Sequence, residues 1–110
     1  MRLEEAVRAV EQQIGMLTTL VQETEVAIAA LKSLKEKGEG LLPIGAGVFV
    51  PVEMKGEQVL TGIGANVFVE KSVDEAIKIL EKRKESVKKV LEETKKRRLK
   101  LIEQARRVPK

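Results

Sequence analysis

The chain contains no cysteine, no histidine, no tryptophan and no tyrosine, and only two phenylalanines among 110 residues. Lack of cysteine excludes a disulfide framework and thiolate chemistry, and lack of histidine removes the commonest general base and metal ligand. So few aromatic residues leave little to fill a compact core, while 35% of the chain is charged, a balance typical of coiled coils. Long apolar runs are missing as well. The richest stretch, Leu41 to Val52, is broken by glycine and proline and is too short to span a bilayer, so no membrane contact is expected from it. The first residues form charged heptads and not a signal peptide, so a cytoplasmic protein is expected. Catalytic motifs are absent too. Gly45-Ala46-Gly47 and Gly62-Ile63-Gly64 complete no dinucleotide fingerprint, no Gly-Lys-Ser/Thr occurs, and the carboxylates are scattered along amphipathic segments. No catalytic, cofactor-binding or metal-binding residue is expected, and the chain does not read as an enzyme.

What is present is a near-repeat in the middle. Ile44-Gly45-Ala46-Gly47-Val48-Phe49-Val50 recurs nineteen residues later as Ile63-Gly64-Ala65-Asn66-Val67-Phe68-Val69. The one difference exchanges Gly47 for Asn66, two residue types that tolerate positive φ. Each copy reads as strand, tight turn, strand, giving two β-hairpins of one design over residues 38–71.

On either side lie heptad arrays. Over residues 1–37 the spacing runs Leu3, Val7, Val10, Ile14, Leu17, Val21, Thr24, Ile28, Leu31, and Gly38 with Gly40 ends it after Lys35 and Lys37. The second array, over residues 72–108, opens on Ser72-Val73-Asp74-Glu75, a capping box in which Ser72 and Glu75 satisfy backbone donors reciprocally. Its seam runs Val73, Ile77, Leu80, Lys84, Val87, Leu91, Thr94, Arg98, Leu101, Ala105, Val108, and Pro109 closes it. Residues whose numbers sum to 108 match apolar with apolar in most layers, with Ile14 meeting Thr94 and Val10 meeting Arg98, and Thr24 then faces Lys84, a polar layer of the kind that fixes register. The fold class is therefore α+β: a long antiparallel helical hairpin, with arms of roughly 54 Å at 1.5 Å per residue, and two β-hairpins inserted between its helices.

This arrangement resembles the α-type subunit of prefoldin, a cytosolic chaperone of archaea and eukaryotes. The resemblance covers nearly the whole chain and is sharpest at Leu42-Pro43-Ile44-Gly45-Ala46-Gly47, at Ile63-Gly64-Ala65, at Val69-Glu70-Lys71-Ser72 and at Asp74-Glu75-Ala76-Ile77. Two hairpins point to the α type, since β-type subunits carry one; the arms are shorter than is usual in the family. The resemblance implies a β-barrel platform joining subunits, with two α and four β subunits in a hexamer, or a homo-oligomer of this chain alone. It further implies that coiled-coil tips hold unfolded proteins without nucleotide and pass them to a group II chaperonin.

Residues can be set against those roles. Val48, Phe49, Val50 and Val52, with Leu60, Val67, Phe68 and Val69, are apolar on both faces of the hairpins, and the chain has no third layer to cover them. They are the expected assembly residues. At the tip, Met1, Leu3, Val7, Leu99, Leu101, Ile102 and Val108 are expected to meet apolar clients, although single surface apolar residues are ordinary. Residues 95–110 carry eight cations, among them Arg97, Arg98, Arg106 and Arg107, against Glu103 alone. Such a run is commonly a solvated helix face; as a site it would attract acidic clients or nucleic-acid phosphates. The absence of an aromatic residue to stack bases disfavours nucleic acid. A structural spacer that connects partners without holding clients is the other reading.

Overall fold

The computed structural model describes residues 2–107. Helix α1 (Arg2–Lys37) leads into strands β1 (Glu39–Gly45), β2 (Val48–Glu53), β3 (Gln58–Gly64) and β4 (Val67–Ser72), and helix α2 (Val73–Arg107) follows. The strands form two separate two-stranded antiparallel sheets, β1 with β2 and β3 with β4.

The near-repeat becomes a repeat of register. Glu39 pairs with Glu53 and Gln58 with Ser72, and every later pair keeps the same nineteen-residue offset. Both ladders slip in the same place, leaving Ile44 and Ile63 as the extra residue of a β-bulge before the turn. In each turn both central residues have positive φ, 52° and 76° at Ala46 and Gly47, 49° and 60° at Ala65 and Asn66. That is a type I′ turn, whose twist matches the strands it joins. The sequence marked Gly47 and Asn66 for this geometry; the alanines, which pay a Cβ clash there, carry no such mark.

Residues 24–83 form one compact unit. Its core is Ile28 of α1 with Val73 and Ile77 of α2, with Leu31 and Leu80 packed on them. Each buried side chain of this size contributes about 1.5–3 kcal/mol by leaving water. Met54, just after β2, and Val59, the second residue of β3, pack on the same cluster and so seat the hairpins on the helices. The Met54 N–H donates to the Gly38 carbonyl at 2.9 Å, and Lys35 pairs with Asp74 at 2.5 Å. The expected cap is half realised. The Glu75 N–H donates to Ser72 Oγ at 3.2 Å, but the Glu75 carboxylate accepts from the Ser72 hydroxyl at 3.1 Å and does not reach back to the backbone. Ala76, outside the heptad pattern, is nevertheless buried.

The second unit joins residues 1–23 with 84–110. Here Val10, Val21 and Leu91 are buried at seam positions, and Arg98 pairs with Glu11 at 3.5 Å, one position from the expected Val10–Arg98 layer. Thr94 is the most enclosed polar side chain of the described residues, at 2% exposure, and its hydroxyl donates to the Val90 carbonyl one turn back at 2.7 Å. By length and composition alone α1 is apolar enough to cross a membrane, which a search for unbroken apolar runs overlooks. Its apolar residues recur at heptad spacing, however, and Val10, Val21 and Ile28 among them are buried against protein.

Candidate functional site: exposed hairpins and the helix-end groove

Among the described residues, most of the large exposed apolar side chains lie on the hairpins. Phe49 is 57% and Phe68 60% exposed, Leu60 70%, and Val48, Val50 and Val67 are exposed beside them. Val52 and Val69 are half-buried. The type I′ turns and bulges position these side chains by fixing which face each strand residue occupies. Leu41, Leu42, Ile44 and Ile63 belong to the same exposed surface and were not singled out from sequence, although the repeat contains both isoleucines. A large exposed apolar surface of this kind is uncommon on a monomer.

Hairpin 1 also borders a groove of about 980 Å³, with Phe49, Pro51 and Val52 on one side and Val26, Ala29 and Ala30 of α1 on the other. Hairpin 2 is held differently. The Arg83 guanidinium of α2 donates to the Gly62 carbonyl. Arg83 lies off the seam, and nothing in the sequence pattern distinguishes it from the neighbouring solvated cations.

In the unit of residues 1–23 and 84–110, Leu3, Val7, Ile102 and Ala105 floor a groove of about 480 Å³ rimmed by Glu4, Glu11, Arg8 and Arg106. The structure thus brings four of the expected tip residues together: Leu3, Val7, Ile102 and Arg106. Leu99 is 59% exposed and borders a separate depression with Ile14, Lys95 and Arg98. Leu101 is half-buried at its seam position, and Arg97 and Arg107 are exposed. Arg98 is half-buried and occupied by Glu11. Met1 and Val108, also expected here, lie outside the described residues. Two exposed apolar side chains further along, Met16 and Leu20, escaped the sequence reading because it followed the seam. Among the described residues no cluster of three or more acidic, histidine or cysteine side chains is arranged to hold a metal ion.

Two heptad helices, with twin I′ hairpins between them in the chain, define a chaperone-type subunit fold, and comparison with known proteins identifies it. The chain belongs to the prefoldin family: the family model for a prefoldin subunit matches residues 3–109. It is 42% identical over 86 residues to prefoldin subunit alpha of Thermofilum pendens, a match covering 74% of this chain and 67% of that one. It is 35% identical over 72 residues to prefoldin subunit alpha of Methanococcus vannielii, covering 64% of this chain and 49% of the relative. This chain therefore spans from about half to two thirds of the length of these relatives. Among solved structures, a filamentous prefoldin from Methanocaldococcus jannaschii superposes with a TM-score of 0.75 at 23% identity, covering 96% of this chain and 90% of the other.

Proposed function

We propose that this chain is an ATP-independent holdase subunit. Its hairpins join it to further prefoldin subunits, β-type chains or copies of itself, in a hexameric or related assembly. Its helix ends capture unfolded polypeptide, which then passes to a group II chaperonin in the cytoplasm. The observation that carries this reading is the exposure of both phenylalanines on hairpins that no other layer of the chain covers, in a chain of the prefoldin family. Apolar faces left open on both hairpins serve assembly, and the groove at Leu3, Val7 and Ile102 serves capture by shallow apolar contact with ionic rims. Nothing in this scheme requires nucleotide or metal.

The test is light scattering from an aggregating client with the assembled protein present and no nucleotide. Aggregation slows in proportion to assembled protein if the reading holds. Unchanged aggregation at excess assembled protein refutes holding and leaves the spacer reading; binding of labelled nucleic acid at physiological salt supports the phosphate-binding one.

A further inference from the structure

Helix α1 carries a second stripe beside the one that forms its seam. One position before the seam, Ala6, Ala9, Gln13, Met16, Leu20 and Glu23 recur at the same spacing of three and four. Adjacent positions lie about 100° apart around a helix, so a partner that covers the first stripe leaves the second in solvent. From Ala9 to Glu23 every member is exposed, Met16 to 73% and Leu20 to 44%. Met16, Leu20 and Glu23 border a shallow depression of about 710 Å³ on this face. The stripe belongs to the unit of residues 1–23 and 84–110.

Charge sets this face apart from the rest of the chain. Residues 12–22 contain no charged side chain, although 35% of the chain is charged. Residues 84–97 of α2, in the same unit, hold nine among fourteen. A solvated helix face looks like the second segment and not like the first. A helix such as α2, laid over residues 12–22, would strand its charges against apolar side chains. A helix such as α1 strands none, because its polar members fall where they meet each other.

We infer that this stripe of α1 is a docking face for the same stripe of a second copy, packed antiparallel about a two-fold axis. Met16 then meets Leu20 of the other copy, and Gln13 meets its Glu23, each pair occurring twice. The Gln13 amide donates to the Glu23 carboxylate, so the one charged member of the stripe is satisfied within the contact. Slipping by one heptad sets Gln13 against Met16 in one direction and Glu23 against Leu20 in the other. Parallel packing in register sets Glu23 against Glu23. Each alternative buries a polar group against an aliphatic one or opposes like charges, which selects the single antiparallel register. The contact uses neither the hairpins nor the groove at Leu3, Val7 and Ile102, so it is separate from the proposed assembly and capture and depends on neither. Four layers make a small interface, and its population rises with protein concentration.

The absence of cysteine makes thiol cross-linking a clean test. Met16→Cys and Leu20→Cys proteins are mixed in equal amounts and treated with a mild oxidant. The expected product is the mixed 16–20 disulfide, several-fold over the 16–16 and 20–20 species. Light scattering across a concentration series then follows the full chain. Met16→Lys lowers the mass at high concentration by about half or more, because an isologous contact pairs copies. Gln13→Lys, facing Glu23, carries the association to lower concentration, and Gln13→Glu weakens it. These positions are exposed and both new residues are good helix formers, so circular dichroism shows unchanged helicity. Equal amounts of the three disulfides, or a mass insensitive to Met16→Lys, overturn the pairing. Two further results reassign the stripe and overturn it as well. One is a Met16→Lys protein of full mass that no longer holds client; the other is binding of the parent to phosphatidylcholine vesicles that Met16→Lys abolishes.

Discussion

Gly15 and Gly45 make opposite demands on the same substitution. Gly15 sits in the interior of α1, and a Cβ built on it meets no atom within 4 Å. Its turn is weakened further, because the Thr18 and Thr19 hydroxyls donate to the carbonyls of Ile14 and Gly15, at 2.7 and 3.0 Å. Gly15→Ala therefore gains helix propensity with no steric cost, about 0.5–1 kcal/mol. For a chain of this size that raises Tm by about 2–6 °C. Gly45, by contrast, has a φ of 112°, where an L side chain is strained whatever the free space around it. Gly45→Ala is expected to cost more than about 1 kcal/mol. The assay is thermal unfolding followed by circular dichroism at one fixed protein concentration, since assembly makes Tm concentration-dependent. A Gly15→Ala protein that is no more stable than the parent would refute the argument and show that Gly15 meets a partner subunit or serves as a hinge.

Other substitutions probe the remaining assignments. Phe49→Asp or Phe68→Asp should dissociate the assembly while leaving most helicity intact, and a particle of unchanged mass by light scattering would count against hairpin-driven association. Ser72→Ala removes the hydroxyl that accepts from Glu75 N–H and should destabilise by about 1 kcal/mol, read as a lower denaturant midpoint at unchanged m-value. Deleting residues 99–110 should abolish client holding without changing assembly mass. Leu99→Ser with Ile102→Ser should weaken holding more than charge reversal at Arg97, Arg106 and Arg107, with only a modest salt effect; a steep loss with salt would transfer the role to the cations, whose exposed charges are screened beyond about 8 Å at physiological ionic strength.

Period and repetition made the elements legible. Heptad spacing announced α1 and α2 because an amphipathic stripe must recur with the helical turn, and the duplicated Ile-Gly-Ala segment announced both hairpins because a tight turn needs residues free of the Cβ penalty. Ile28 and Leu80, whose numbers sum to 108, share one core cluster, while the Glu11–Arg98 ion pair lies one position off that register. Less legible was whatever depends on one atom meeting another at a distance. Ala46 and Ala65 adopt positive φ because the flanking ladder imposes it, not through any preference of alanine. Arg83 reaches Gly62 across twenty-one positions of sequence, and Met54 and Val59 find the core only once the hairpins are seated. At the helix ends, residue type named the candidates, but only geometry separated Leu3, Val7 and Ile102, which share a groove, from Leu99, which does not.

Thr94 satisfies its hydroxyl within its own helix, so its burial asks nothing of the residue that faces it. A seam layer of that kind excludes water without choosing a partner, and the next layer of α2 along the same seam is a half-exposed arginine. Opening the helices from Thr94 outward gives up the Val10 contacts and the Arg98–Glu11 ion pair but leaves the Thr94 hydroxyl satisfied within its own helix. Amide exchange should accordingly proceed through local opening over residues 94–107 well before it does around Ile77. If the helix ends capture clients as proposed, the capturing end is also the end that loosens first.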